Sequence, residues 1–246
     1  MTARAVSFDA GQTLVELDTT MLSARLAERG VHVTAAALDA AQPAAWRRYD
    51  EVVRSGGHEL PWQVFMTTLI AGAGGAEAAD LAAWLWTEQP RRNLWRRPIA
   101  GMFELARDLA AGGVPVAILS NSEGKLAELI AEIGWAAPFR AIVDSGRLGF
   151  AKPDRRIFDH TAAVLGVGLD EIVHIGDSRT ADIDGARAVG MRAIWFGPAA
   201  RDVGDAGVAA AADAGAVRAI LAGWGLPTLS IDHACQDRPS PTTIPR

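Results

Sequence analysis

Cysteine is almost absent from this chain: Cys235 is the only one in 246 residues. That excludes an internal disulfide framework, and Cys235, set in a polar stretch, reads as an inert exposed thiol. Lysine is nearly as scarce. Of 24 basic residues only Lys125 and Lys152 are lysines, so each is a departure from the chain's arginine habit. An excess of positive charge is lacking too. The net charge of −5 gives no electrostatic footprint for nucleic acid or for an anionic membrane surface. No apolar run reaches the roughly 18 residues that a membrane helix needs. The first residues carry one arginine and then a strand-like run holding an acid, with no signal-peptide pattern. A cytoplasmic protein is the expectation, with no signal for its oligomeric state.

What is present is an ordinary globular balance, 50% hydrophobic and 22% charged. Short apolar runs recur as AVSF (5–8), VPVAIL (114–119), AIV (141–143), EIVHI (171–175) and RAIWF (192–196). Between most of them the apolar spacing is helical. Leu126, Leu129, Ile130 and Ile133 follow an i, i+3, i+4, i+7 pattern, as do Val217, Ile220, Leu221 and Trp224. Strands apolar on both faces that alternate with helices predict an α/β fold with a Rossmann-like parallel sheet. Ligands of such sheets bind beyond the carboxyl ends of the strands. Here those ends read Asp9, Ser120-Asn121, Asp144-Ser145 and Gly176-Asp177.

Residues 15–98 interrupt the alternation. They read as helices near 21–29, 35–55, 61–71 and 77–88 with no convincing strand, and hold five of the eight tryptophans. We therefore expect a core of residues 1–14 and 99–225 and an inserted α-helical cap of residues 15–98. Residues 226–246, rich in proline and without periodicity, are expected to form a flexible tail. The cap tryptophans are read as the core of that module, with Trp62 the candidate exception beside the turn-like stretch 55–61.

Four pieces in chain order, FDAGQTL with Asp9, LSNS with Ser120, FAKPD with Lys152 and HIGDSRTAD with Asp177 and Asp182, resemble the haloacid dehalogenase-like hydrolase superfamily. The resemblance is to its helical-cap group and covers the chain from Arg4 to about Trp224. It implies a phosphohydrolase acting on a small phosphorylated molecule. Asp9 would be the nucleophile, forming an aspartyl-phosphate. Mg²⁺ would be held by Asp9, the main-chain carbonyl of Gly11 and Asp177, with Asp182 behind them. Ser120 and the N–H of Asn121 would bind phosphoryl oxygens, Lys152 would steady phosphate and nucleophile, and Thr13 would brace the loop. Substrate choice would fall to the cap, where Arg47, Arg48, His58 and Trp62 are candidates.

One position departs from the family pattern DxDxT. Gly11 replaces the second acid, which protonates the leaving group and is typically worth about 10²–10⁴-fold. Turn geometry is the plain reason for a glycine there. Cleavage of carbon–phosphorus bonds, which in this family needs a cap lysine, is excluded because residues 15–98 contain none. The 2-haloacid dehalogenases lack the metal-binding acid that Asp177 retains, which leaves dehalogenation a lesser alternative. A catalytically weak domain that binds a phosphorylated ligand or a protein is the other.

Overall fold

The computed structural model describes residues 2–55 and 60–227. Eight strands are present among them: β1 (Ala5–Phe8), β2 (Val15–Leu17), β3 (Trp95–Pro98), β4 (Val116–Ser120), β5 (Ala141–Asp144), β6 (Ile172–Gly176), β7 (Arg192–Phe196) and β8 (Val208–Ala211). Six form one sheet in the order β5-β4-β1-β6-β7-β8, with every pairing parallel. The fold is α/β and Rossmann-like.

The central place of β1 follows from its sequence. All four of its residues are buried, as they must be in a strand covered on both faces. On one face Val6, Phe8, Ile118, Val173 and Ile175 meet α5 (Met102–Ala111), α6 (Leu126–Glu132) and α10 (Ala214–Gly223) through Phe103, Ile130 and Leu221. On the other, Ala5, Ala117, Leu119 and Ile172 meet α8 (Arg155–Leu165) and α9 (Gly185–Ala188) through Ile157, Phe158 and Ala186. Each such Leu, Ile or Phe contributes about 1.5–3 kcal/mol relative to an exposed side chain. The sheet therefore tolerates a few polar groups in its interior.

A third apolar cluster draws only on residues 17–95. It joins α1 (Thr19–Ala27), α2 (Ala35–Ser55), α3 (Pro61–Gly72) and α4 (Ala78–Glu88) through Leu22, Leu38, Phe65, Leu69 and Leu85. The reading of this stretch as free of strands is corrected. β2 and β3 pair antiparallel, with a register shift at Glu16/Leu17, where the chain leaves and re-enters the sheet. Both are short, and the sequence of β3 (WRRP) looks like loop. β8 is a second omission, since VAAA has one strand-forming residue ahead of three alanines and owes its conformation to pairing with β7. The short helix α7 (Ser145–Leu148) follows β5. The expected tail lies outside the described residues except for Leu226 and Pro227, and Cys235 lies outside them with it.

Chain order explains where a site forms. From β1 the chain passes, after residues 9–98, to β4 and β5 on one side and then to β6 on the other. The crevice at that switch point opens beyond the carboxyl ends of β4, β1 and β6.

Candidate active site

Asp9 is the first residue after β1, and its N–H continues the sheet by donating to the Ile175 carbonyl at 2.7 Å. Its side chain is therefore delivered to the crevice with almost no freedom. Lys152, ahead of α8, reaches it from below. The ammonium donates three bonds: to Asp9 Oδ1 at 2.6 Å, to Asp182 Oδ1 at 2.6 Å and to the Leu119 carbonyl at 2.8 Å. All three protons are used. A planar guanidinium does not match this pyramid of acceptors, which accounts for one of the chain's two lysines. The other, Lys125, is exposed and sits 3.6 Å from Glu128.

Asp182 belongs to a single π-helical turn, Arg179–Asp184, that follows β6. Its Oδ2 accepts the Ser178 N–H at 2.9 Å, and its Oδ1 also meets His174 Nε2 at 3.1 Å. Behind His174, Ser7 Oγ lies 2.9 Å from Nδ1. The two residues are register partners on β1 and β6 and wholly buried. Gly176 lets Asp182 come so close, because a Cβ there would overlap the Asp182 carboxylate.

Electrostatics separate the three acids. Burial would raise Asp182, but Lys152 and His174 more than reverse it and hold the carboxyl well below its ordinary range. Burial raises Asp9 against the pull of Lys152, with Asp182 adding to the rise. Lys152 pulls on Asp177 too, without a hydrogen bond to it, and burial, then Asp9 and Asp182, outweigh that pull and push it well above its ordinary value. Lys152, depressed by burial alone, is carried above its ordinary value by Asp182 and Asp9.

Carboxylate oxygens of Asp9, Asp177 and Asp182 lie within 4.8 Å of one another. Three acids sharing one ammonium form a donor set of hard oxygens suited to a divalent cation. The strand-end loops are equally organised. Asn121 clamps the Lys152 backbone, accepting its N–H at 2.8 Å and donating to its carbonyl at 3.0 Å. Asp144 gathers the N–H groups of Gly124, Leu126 and Gly146 at 2.9–3.0 Å.

The three acids, Lys152 and Asn121 line a cavity of about 700 Å³, a size typical of small-molecule sites. Of the residues singled out in the sequence, Asp9, Gly11, Ser120, Asn121, Lys152, Asp177, Asp182 and Trp62 line it. Arg47 and Arg48 do not. They are exposed, and Arg48 binds Glu51 at 3.2 Å. The face that α2 turns inward carries Trp46, Tyr49 and Asp50 instead, an i, i+3, i+4 set. Thr13 is fully buried beneath the loop, yet its hydroxyl has no hydrogen-bond partner among the described residues, so the expected brace is steric only. His58 lies outside the described residues. The left-handed backbone of this turn falls on Gln12, whose φ is 56°, and not on Gly11, where turn geometry was the plain reason for a glycine. A Cβ at Gly11 would meet only Trp95 Cδ1, at 3.8 Å, an ordinary contact.

Sequence reasoning passed over Ser7 and His174. A signal existed: each is a polar residue inside an otherwise apolar strand. It also passed over the Asn121 side chain, whose partner lies 31 residues away.

A family model described as haloacid dehalogenase-like hydrolase matches residues 3–190. The chain is 31% identical over 158 residues to a phosphoserine phosphatase of Thermus thermophilus, and the match spans 62% of each protein. It is 27% identical over 190 residues to a glyceraldehyde 3-phosphate phosphatase of Methanopyrus kandleri, covering 76% of this chain and 81% of that one. Among solved structures, the magnesium-bound HAD-hydrolase YfnB of Bacillus subtilis superposes with a TM-score of 0.68 at 20% identity, over 90% of this chain and 99% of that one. Among the described residues no helix is long and apolar enough to cross a membrane.

Proposed function

Because the chain belongs to the haloacid dehalogenase-like hydrolase family, we propose that it is a phosphohydrolase that passes through an aspartyl-phosphate on Asp9 and favours substrates whose leaving group needs little protonation. The observation that carries this reading is the buried Asp9–Lys152–Asp182 arrangement under the cavity, with both bridging distances at 2.6 Å. Lys152 occupies Asp9 Oδ1 and so turns the second carboxylate oxygen toward an incoming phosphorus. That oxygen attacks, the bond from phosphorus to the leaving oxygen breaks, and water then attacks the same phosphorus. Inorganic phosphate leaves and the Asp9 carboxylate is restored. Ser120 and the Asn121 N–H receive the equatorial oxygens. Asp9, Asp177 and the Gly11 carbonyl would hold Mg²⁺, which when bound neutralises charge between phosphate and carboxylate. Residues 15–98 act as a cap over a core of residues 1–14 and 99–225, and the phosphatase names of the relatives at 31% and 27% identity support the reaction class.

Gly11 sets the expected selectivity. With no acid at this position, the rate should fall steeply as the leaving group becomes more basic, so acyl and aryl phosphates outrun alkyl phosphates. Since a Cβ at position 11 would make only an ordinary contact, Gly11→Asp should speed alkyl phosphate hydrolysis by about 10²–10⁴-fold with little effect on acetyl phosphate. The measurement is kcat/KM across a leaving-group series with Mg²⁺, with Asp9→Asn as the inactive reference. A flat series and no gain in Gly11→Asp would overturn the reading. Gly11 also favours one competing reading, a domain that binds a phosphorylated ligand without turning it over. Ligand-induced stabilisation with no hydrolysis in the same series would establish that instead.

A further inference from the structure

Residues 46–95 give the cavity an aromatic wall, with the Asp50 carboxylate beside it. Trp46 and Tyr49 of α2, Trp62 of α3 and Trp95 of β3 all line the cavity. Each is only partly buried, with one side against the helical cluster and the other toward the open space. Their mutual contacts fix them as a wall. Trp46 meets Tyr49 edge-on at 5.3 Å and Phe65 at 4.3 Å, Phe65 meets Trp95 at 5.9 Å, and Trp95 meets Trp62 at 6.1 Å. Rings braced in this way keep their faces open instead of collapsing inward.

Three residues of the cavity lining carry an unanswered polar group. Trp62 Nε1 and Gln12 Nε2 are buried and, like the Ser122 hydroxyl, have no hydrogen-bond partner among the described residues. An unmet buried N–H is unfavourable, so an acceptor carried by the ligand is the natural complement. The wall therefore asks for a flat apolar face with one or two acceptors. A small acyl group has no face to stack.

Resting on the phosphohydrolase reading above, we propose that the substrate is an aryl phosphomonoester, its ring held against Trp46, Tyr49, Trp62 and Trp95 and an acceptor substituent meeting Trp62 Nε1 or Gln12 Nε2. An independent feature agrees with this. An aryl oxide carries away the electron pair of the broken phosphorus–oxygen bond without prior protonation and takes its proton from solvent. A site with glycine at position 11 suits that departure.

Phenylphosphonate and methylphosphonate separate ring recognition from turnover, because this chain has no cap lysine to cleave their carbon–phosphorus bonds. Binding of each to the full wild-type chain with Mg²⁺ is measured by calorimetry and by tryptophan fluorescence. Phenylphosphonate should bind at least about tenfold more tightly, as a stacked ring requires. Trp62→Ala should reduce that preference to about threefold or less and leave methylphosphonate unchanged, whereas Trp62→Phe should retain most of it. Wild-type affinities within about twofold of each other would overturn the proposal, and that comparison needs no variant to fold. A kcat/KM for glucose 1-phosphate above that for phenyl phosphate would overturn it as well. If acetyl phosphate is hydrolysed and methylphosphonate binds without any ring preference, the aryl assignment alone fails. If no phosphorylated probe is bound or hydrolysed, the phosphohydrolase reading fails with it.

Discussion

Lys152 can steady Asp9 only while Asp182 is itself held. Asp182 Oδ1 accepts from both Lys152 and His174, and His174 is held in turn by Ser7. A carboxylate only accepts, so His174 Nε2 donates to Asp182 while Nδ1 pairs with the Ser7 hydroxyl. His174→Leu removes a hydrogen bond to a buried charge and leaves that hydroxyl without its partner, at a cost of about 1.5–3 kcal/mol. Ser7→Ala in the wild type should cost about 0.5–1.5 kcal/mol. In the His174→Leu background the same change should cost almost nothing, because the bond it deletes is already gone. Urea unfolding of the four proteins in this cycle measures the coupling. Fully additive losses would mean that the two residues do not act as one chain of bonds.

At the scale of elements, the site depends on how the loop after β4 is laid against α7. Asp144 caps α7 and also binds the N–H groups of Gly124 and Leu126, so one carboxylate ties two strand-end loops together. Gly146 makes this approach possible: a Cβ there would collide with the backbone of residues 122–124. Gly146→Ala must displace that loop. We expect a loss of about 1–3 kcal/mol in urea unfolding, together with a raised KM for acetyl phosphate, because Ser120 and Asn121 immediately precede the displaced segment. A stability loss at unchanged KM would show that the loop does not shape the phosphate site. This coupling was not legible in the sequence, where Asp144 and Gly146 look like an ordinary strand end and turn. What was legible shares one property, a local pattern. Strands β1, β4, β5, β6 and β7 are Val/Ile-rich runs apolar on both faces, and Asp9, Ser120 and Asp177 stand at or just beyond their ends. What escaped depends on a partner elsewhere. β8 is an alanine run made a strand by β7, and β3 is an arginine-rich segment made a strand by β2. The phase of α2 is set by its packing on α3, which turns Trp46, Tyr49 and Asp50 inward and Arg47 and Arg48 out. The tryptophans of residues 15–98 divide for the same reason. Trp84 lies under Arg25 and Arg29, while Trp46 and Trp95 face the cavity as well as the helical core they were expected to fill, and Trp62, named as the exception, lines it beside them.

The whole molecule carries the cost of the site it builds. Asp9, Asp177 and Asp182 are gathered within 4.8 Å around one ammonium, and Lys152 bonds only two of them. The third, Asp177, is left crowded by burial and by its neighbours' charge. Most substitutions of partly buried polar residues destabilise a protein, but here the sign should reverse. Asp177→Asn keeps the shape, removes one of three crowded negative charges, and should raise the melting temperature of the metal-free protein. In the wild type, Mg²⁺ should relieve the same repulsion. A ligand present at a hundredfold its Kd stabilises by about 2.7 kcal/mol, which for a chain of this size is about 5–11 °C in Tm. Asp177→Asn should lose most of that response while gaining its own smaller rise without metal. Calorimetric melting of both proteins in EDTA and in Mg²⁺ gives the four values required, with no assumption about turnover. If Asp177→Asn melts below the wild type in EDTA, the acids are not in conflict. If Mg²⁺ raises both proteins equally, the ion binds without Asp177, and the donor set proposed here is wrong.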